Sequence, residues 1–241
     1  LSISLEYHMK ALGKFRAFTM VLFECRLLVV LSDTYAKLGM YSEASQYIDN
    51  ALPIAKDYNE YYSLGRLFET SSEINIWKGE QEQAINDLEE SVEYFQLAER
   101  EYQAANNLNS IAIIYLEAGD TKKAQNVCDK AHRLLSKNKE KHHDIRGIII
   151  GELIEIISGR GDQEKLDSID DITDPECTWL LSQCYCLLGH DDQAAKYREI
   201  ARETLMENSN HISNPDQWKN FLEQNVLNRR IINNEQIFAI A

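Results

Sequence analysis

Three glycines forty residues apart, Gly39, Gly79 and Gly119, constrain this chain more than any other feature. The segments around them align without gaps: 28–51 (LVVLSDTYAKLGMYSEASQYIDNA), 68–91 (FETSSEINIWKGEQEQAINDLEES) and 108–131 (LNSIAIIYLEAGDTKKAQNVCDKA). Five residues after each glycine comes an alanine (Ala44, Ala84, Ala124). Four further on stands a larger side chain (Ile48, Leu88, Cys128), and three beyond that a small one (Ala51, Ser91, Ala131). Tyr35 and Tyr115 precede the first and third glycine by four residues, and Asn75 breaks that column. The physical reading is a helix ended by a left-handed glycine, then a second helix running back. The small alanine lets the two helices approach closely. Such a hairpin cannot bury its apolar face alone, so stacked neighbours must supply the core. Few prolines and glycines (3 and 10 in 241 residues) fit long helices with short connections.

Two less regular units follow. Ile150–Ile172 reads as a degenerate hairpin with Gly161 in the turn and Leu166 in the alanine's place. Its second helix is cut short by Asp174-Pro175, because proline disfavours helix in the residue before it. Trp179, Leu181, Tyr185, Gly189, Ala194 and Ala201 restore the pattern, and Leu5–Leu12 reads as the second helix of a truncated unit. The chain is therefore expected to be all-α and cut from a longer protein. A repeat array over 1–212 is expected, with a partial repeat at 1–16 and repeats at roughly 17–58, 59–99, 100–141, 142–173 and 174–210. Segment 213–241 is set apart as a capping helix and tail. There Ser213 or Asn214 caps a helix, Pro215 lies in its first turn, and Trp218, Phe221, Leu222 and Val226 share one face. That helix is expected to close the open end of the array.

These columns resemble the tetratricopeptide repeat family over roughly Leu5 to Leu205. The family's usual period is about 34 residues. The longer spacing here is similar to the repeats of bacterial signal-transduction ATPases and related kinase and cyclase regulators. Asn214-Pro215, Phe221-Leu222, Val226 and Asn228-Arg229 resemble the closing segment of those proteins, with Leu227 where a proline is usual. The resemblance implies a right-handed superhelix whose first helices line a concave groove. It also implies a non-catalytic module that binds a protein or an extended peptide, either as the sensor or scaffold region of a larger bacterial signalling protein or as a peptide-pheromone receptor. A third reading is an accessory surface that meets nothing but its own dimer.

Groove positions are counted back from the turn glycine. Thirteen before it stand Arg26, Arg66 and Asn106; ten before, Val29, Glu69 and Asn109; six before, Asp33, Glu73 and Ile113; two before, Lys37, Trp77 and Glu117. Mixed arginine and carboxylate columns suit an extended peptide held by its backbone and a few charges, and Trp77 suits an aromatic anchor. The candidate partner-binding residues are Arg26, Asp33, Lys37, Arg66, Glu69, Glu73, Trp77, Asn106 and Asn109. The plainer alternative is that Arg26 with Asp33 and Arg66 with Glu73 simply pair along or between helices, each pair worth about 0–1 kcal/mol. The carboxylate clamp of chaperone-binding relatives is not matched. Its places carry Val29, Asp33, Thr70, Asn106 and Ser110, and Asp33 would repel a terminal carboxylate.

Composition narrows the classes further. A net charge of −14 argues against direct nucleic-acid binding, since phosphates must be neutralised by Lys and Arg. No window approaches the ~20 apolar residues of a membrane span, so no membrane insertion is expected. Five cysteines without paired spacing (Cys25, Cys128, Cys177, Cys184, Cys186) suggest reduced thiols and a cytoplasmic setting. Without a C-x2-C pair, zinc ligation is disfavoured against buried small hydrophobes. His142-His143 is read as solvated loop rather than a metal site. Gly13-Lys14 lacks the upstream glycine of a phosphate loop, and Gly159-Arg160-Gly161 follows no strand. No nucleophile stands beside a base in a recognisable motif. Neither enzyme activity, cofactor nor metal is expected.

Overall fold

The structure is a computed structural model that describes residues 2–136, 144–169 and 172–239. Among these, all regular structure is helical: α1 (Ser2–Ala17), α2 (Val21–Lys37), α3 (Tyr41–Asp57), α4 (Tyr61–Lys78), α5 (Gln81–Leu97), α6 (Glu101–Glu117), α7 (Thr121–Ser136), α8 (Ile145–Ile157), α9 (Gln163–Asp167), α10 (Pro175–Leu187), α11 (Asp191–Ser209), α12 (Pro215–Glu223) and α13 (Val226–Asn233). They form two compact units. Unit 1 holds residues 1–100 and 209–229, and unit 2 holds 101–208 and 230–241.

The hairpin turns follow from backbone chemistry. Gly39, Gly79, Gly119, Gly159 and Gly189 all have φ between +69° and +79°. At each, the amide after the glycine donates to the carbonyl five residues back (Met40 to Tyr35, Glu80 to Asn75, Asp120 to Tyr115, Arg160 to Glu155, His190 to Tyr185). The glycine amide donates three residues back, which satisfies two otherwise orphaned helix carbonyls. The return turns use the same bond pattern without glycine. Thr19, Asn59 and Glu99, again forty residues apart, adopt φ of 53–56°, at a cost of about 1–2 kcal/mol each.

In unit 1 the first helices α2 and α4 lie side by side, and each packs on its own second helix, α3 or α5. Ala44, Ala84, Ala51 and Ser91 are fully buried where the helices approach. Gly65 serves the same end, because a Cβ there would lie 2.8 Å from the Phe95 ring. The broken tyrosine column is repaired within the hairpin. Tyr35 stacks on Tyr47 at 5.2 Å, whereas forty residues later Asn75 donates to Asp87 at 2.8 Å, both buried.

In unit 2 the first helices α6, α8 and α10 pack in succession, with α7 on α6 and the short α9 on α8. Tyr185 and Tyr197 stack at 5.4 Å, at the same twelve-residue offset as Tyr35 and Tyr47. The fourth hairpin corrects the register expected from sequence. Its left-handed residue is Gly159, which continues the forty-residue spacing, and Gly161 is not left-handed. Asp162 then caps α9 by accepting from the Glu164 amide, so Leu166 reaches the buried place two residues late. Asp174 caps α10 in turn, accepting from Cys177, with Pro175 in the first turn.

The C-terminal segment departs from expectation twice. It forms two helices, α12 and α13, rather than a single capping helix. Asn214 caps α12 as expected, accepting from the amides of Asp216 and Gln217. Within unit 1, α12 then rests on the turn of the first full hairpin. A Cβ at Gly39 would lie 2.5 Å from the Asn220 carbonyl oxygen. The Val226 backbone lies beside the Tyr41 hydroxyl, and Trp218, half-exposed, donates to Ser209 at 3.1 Å.

Candidate peptide-binding face

The columns counted from the turn glycines separate into outward and inward ones. The places ten before the glycine face the core: Val29 and Asn109 are buried, as is Trp179 of the fifth hairpin, and Glu69 is half-buried. Asn109, expected on the groove, is fully enclosed and donates to Asp144 at 3.2 Å. The side chain in that place points between helices, so a partner cannot reach it. The carbonyl oxygen of its amide is left without a hydrogen-bond partner.

In unit 1 the remaining candidates gather on α2 and α4. Arg66 bridges the two helices, donating to Asp33 at 2.8 Å and to Glu69 on its own helix. Burial opposes its charge, but Glu69 and Asp33 beside it more than offset that and hold its pKa above the ordinary arginine value. Lys37 closes on Asp33 at 2.9 Å from the solvent side. Arg26 reaches Glu60 at 3.0 and 3.1 Å instead of Asp33. Neither of the expected same-helix pairs forms. A residue and its neighbour seven positions on lie two turns, roughly 10 Å, apart. Arg26 finds its acid at the start of the next hairpin, and Arg66 finds one on the preceding hairpin and one a turn along its own helix.

Glu73 is the exception in this cluster. It is half-buried, and no hydrogen bond or ion pair within 4 Å is found for it among the described residues. Burial pushes its pKa up to about 8, Asp33 and Glu69 add to the rise, and Lys37 and Arg66 oppose it. One turn on, Trp77 is 43% exposed and packs on Tyr41 at 5.0 Å between centroids. Burial, then Glu73, raises the Tyr41 phenol above its ordinary value. Trp77, Tyr41, Ser45, Gln46, Ile74 and Lys78 line a shallow cleft of about 340 Å³. A cation approaching this face meets an unmatched carboxyl beside an exposed indole.

In unit 2 the same columns are engaged. Arg146 stands thirteen before Gly159, the left-handed turn residue of the fourth hairpin, whereas counting from Gly161 leaves it out of the column. It donates to the Asn106 carbonyl at 3.0 Å, to Ser110 at 3.2 Å and to Glu176 at 2.7 Å, tying α6, α8 and α10 together. Burial works against its charge, yet Glu176 outweighs that and raises its pKa. Asn106 is half-buried, and the atom it offers Arg146 is its backbone oxygen. Glu117, two before Gly119, takes both guanidinium nitrogens of Arg230 at 2.7 and 2.8 Å. Gln183, six before Gly189, is 1% exposed and holds the backbone of the C-terminal segment.

Four of the five cysteines are buried and Cys186 is half-buried. The five cysteines are unbonded. Burial pushes the thiols of Cys25 up to about 11 and Cys128 up to about 12, and raises those of Cys177 and Cys184 further. Thiols so raised are poor nucleophiles. No group of three His, Cys, Asp or Glu side chains is placed to hold a metal among the described residues; His142-His143 lies outside them. No described helix is long and apolar enough to cross a membrane.

No curated protein matches the chain closely enough to count as a relative. Residues 26–58, the first full hairpin with its left-handed Gly39 and its buried Ala44 and Ala51, match the family model of the tetratricopeptide repeat.

Proposed function

We propose that this chain is a peptide-binding sensor or scaffold region of a larger bacterial signalling protein, non-catalytic itself, with the α2–α4 face of unit 1 as a recognition surface. A tetratricopeptide-type hairpin supports a protein-interaction role. The observation that carries the specific reading is Glu73: a half-buried carboxyl without an ion-pair partner, beside exposed Trp77 and framed by the Arg66–Asp33 bridge. Burying a carboxyl without a partner is costly. A basic side chain from a bound peptide would supply the missing charge while its neighbour stacks on the indole. A peptide-pheromone receptor would use the same face, and the two readings differ in what lies beyond this chain.

The full chain is screened against a random peptide library, and selected peptides are titrated against wild type and the Glu73→Gln, Trp77→Ala and Arg66→Glu variants. Enrichment of Lys or Arg next to an apolar residue is expected, with at least a tenfold loss of affinity in each variant. Selected peptides that bind all four proteins equally would reject this face.

A further inference from the structure

In unit 2 the C-terminal segment lies against first-helix places that the repeat pattern assigns to ligand. Glu117, from the column two before the glycine, grips Arg230 through both guanidinium nitrogens. Gln183, from the column six before the glycine, donates to the Glu235 carbonyl at 3.2 Å and accepts from the Ile237 amide at 3.3 Å. Residues 235–239 are non-helical. Phe238, at the far end, is 3% exposed, and Ile231 is buried.

We propose that this face of unit 2 is a peptide-binding site and that residues 230–238 are its resident occupant, exchangeable for a peptide of the same chemistry: an arginine in a last helical turn, then a non-helical stretch, then an aromatic eight residues after the arginine. A carboxamide that serves one backbone carbonyl and one backbone amide reads main chain rather than side-chain identity. Any segment threading past Gln183 without helical bonds satisfies it equally well. Specificity then comes from the ends, where a fork-to-fork arginine–carboxylate contact and an enclosed aromatic lie. Glu117 is 15% exposed and Arg230 19%, so the pair is well shielded, and a competing peptide must bring its own arginine. Residues 236–239 make no helix hydrogen bonds, which places their opening at the low-energy end of local fluctuations. The site is separate from the α2–α4 face of unit 1 and does not rest on the function proposed for that face.

The test uses the full chain and a labelled peptide spanning residues 228–239 (NRRIINNEQIFA). Amide hydrogen exchange in wild type is expected to show the Ile237 amide protected at least tenfold over an unstructured reference. Excess free peptide should raise its exchange in proportion to concentration. Arg230→Glu should free the segment and admit the labelled peptide. Glu117→Arg with Arg230→Glu should restore protection and exclude it, and Gln183→Ala added to Arg230→Glu should weaken peptide uptake at least tenfold. Random-coil exchange of Ile237 in wild type would overturn the proposal. So would exchange that free peptide leaves unchanged, a measurement that needs no variant to fold.

Discussion

The first helices of the two units carry residues at the same distances from the turn glycines, yet they use them differently. In unit 1 the charged columns largely close on one another: Arg26 with Glu60, Arg66 with Asp33 and Glu69, Lys37 with Asp33, which leaves Glu73 without a partner and Trp77 exposed. In unit 2 they are committed: Arg146 is enclosed by three acceptors on α6 and α10, while Glu117 and Gln183 hold the C-terminal segment. Column position therefore fixes where a side chain points, and local partners decide whether it is structural or available.

The contrast is sharpest at the arginines. Arg146→Ala removes the counter-charge of a partly buried glutamate and leaves two other acceptors open, so a loss of about 2–3 kcal/mol in denaturant-derived stability is expected. Arg26→Ala removes an exposed pair and should cost about 0–1 kcal/mol. Equal losses would erase the distinction between the enclosed and the solvent-facing column.

The turn glycines test where the C-terminal segment sits within unit 1. Gly39 and Gly79 share the left-handed conformation, and a side chain at either carries a penalty of about 1–2 kcal/mol. A methyl at Gly39 also runs into Asn220, whereas at Gly79 it meets open space. Gly39→Ala should therefore cost about 1–3 kcal/mol more than Gly79→Ala. Matching thermal melts of the two variants would mean that α12 does not rest on that turn.

The pH dependence of stability probes Glu73. An acid whose folded pKa lies near 8, against an ordinary 4.5, binds its proton more tightly in the folded state. Its contribution to stability is thus fully present below about pH 4.5 and is lost as the pH rises through 8. Glu73→Gln should raise the melting temperature more at pH 8.5 than at pH 5. A difference that does not change with pH would remove the unmatched carboxyl from the account.

Much of the fold was legible because it is periodic. Helix ends and buried small residues recur with the glycines, and Ala44, Ala84 and Ala124 are all fully buried. What escaped has physical reasons. Gly159 kept the forty-residue spacing but lost the alanine five residues on, where Glu164 stands. Leu166 pointed to Gly161 instead, and with the glycine misplaced the Arg146 column vanished. Thr19, Asn59 and Glu99 form an equally regular turn column, but side chains so unlike one another give no residue-type signal. Asn75 read as a defect, although Asp87, forty residues after Tyr47, had changed with it. Arg66 was expected to pair with Glu73, but it meets Glu69 one turn along its own helix and Asp33 on the preceding hairpin, a neighbour that spacing within one helix does not reveal. The resting place of the C-terminal segment is a tertiary fact that no period encodes.

The central claim is that the outward columns of the first helices are where this protein holds a polypeptide. A crystal structure of the full chain with a library-selected peptide tests it most directly. The peptide is predicted to lie along α2 and α4, with a basic side chain within 4 Å of Glu73 and an apolar one on Trp77. A peptide lying on the outer surface of the second helices α3 and α5, with Glu73 and Trp77 untouched, would contradict it.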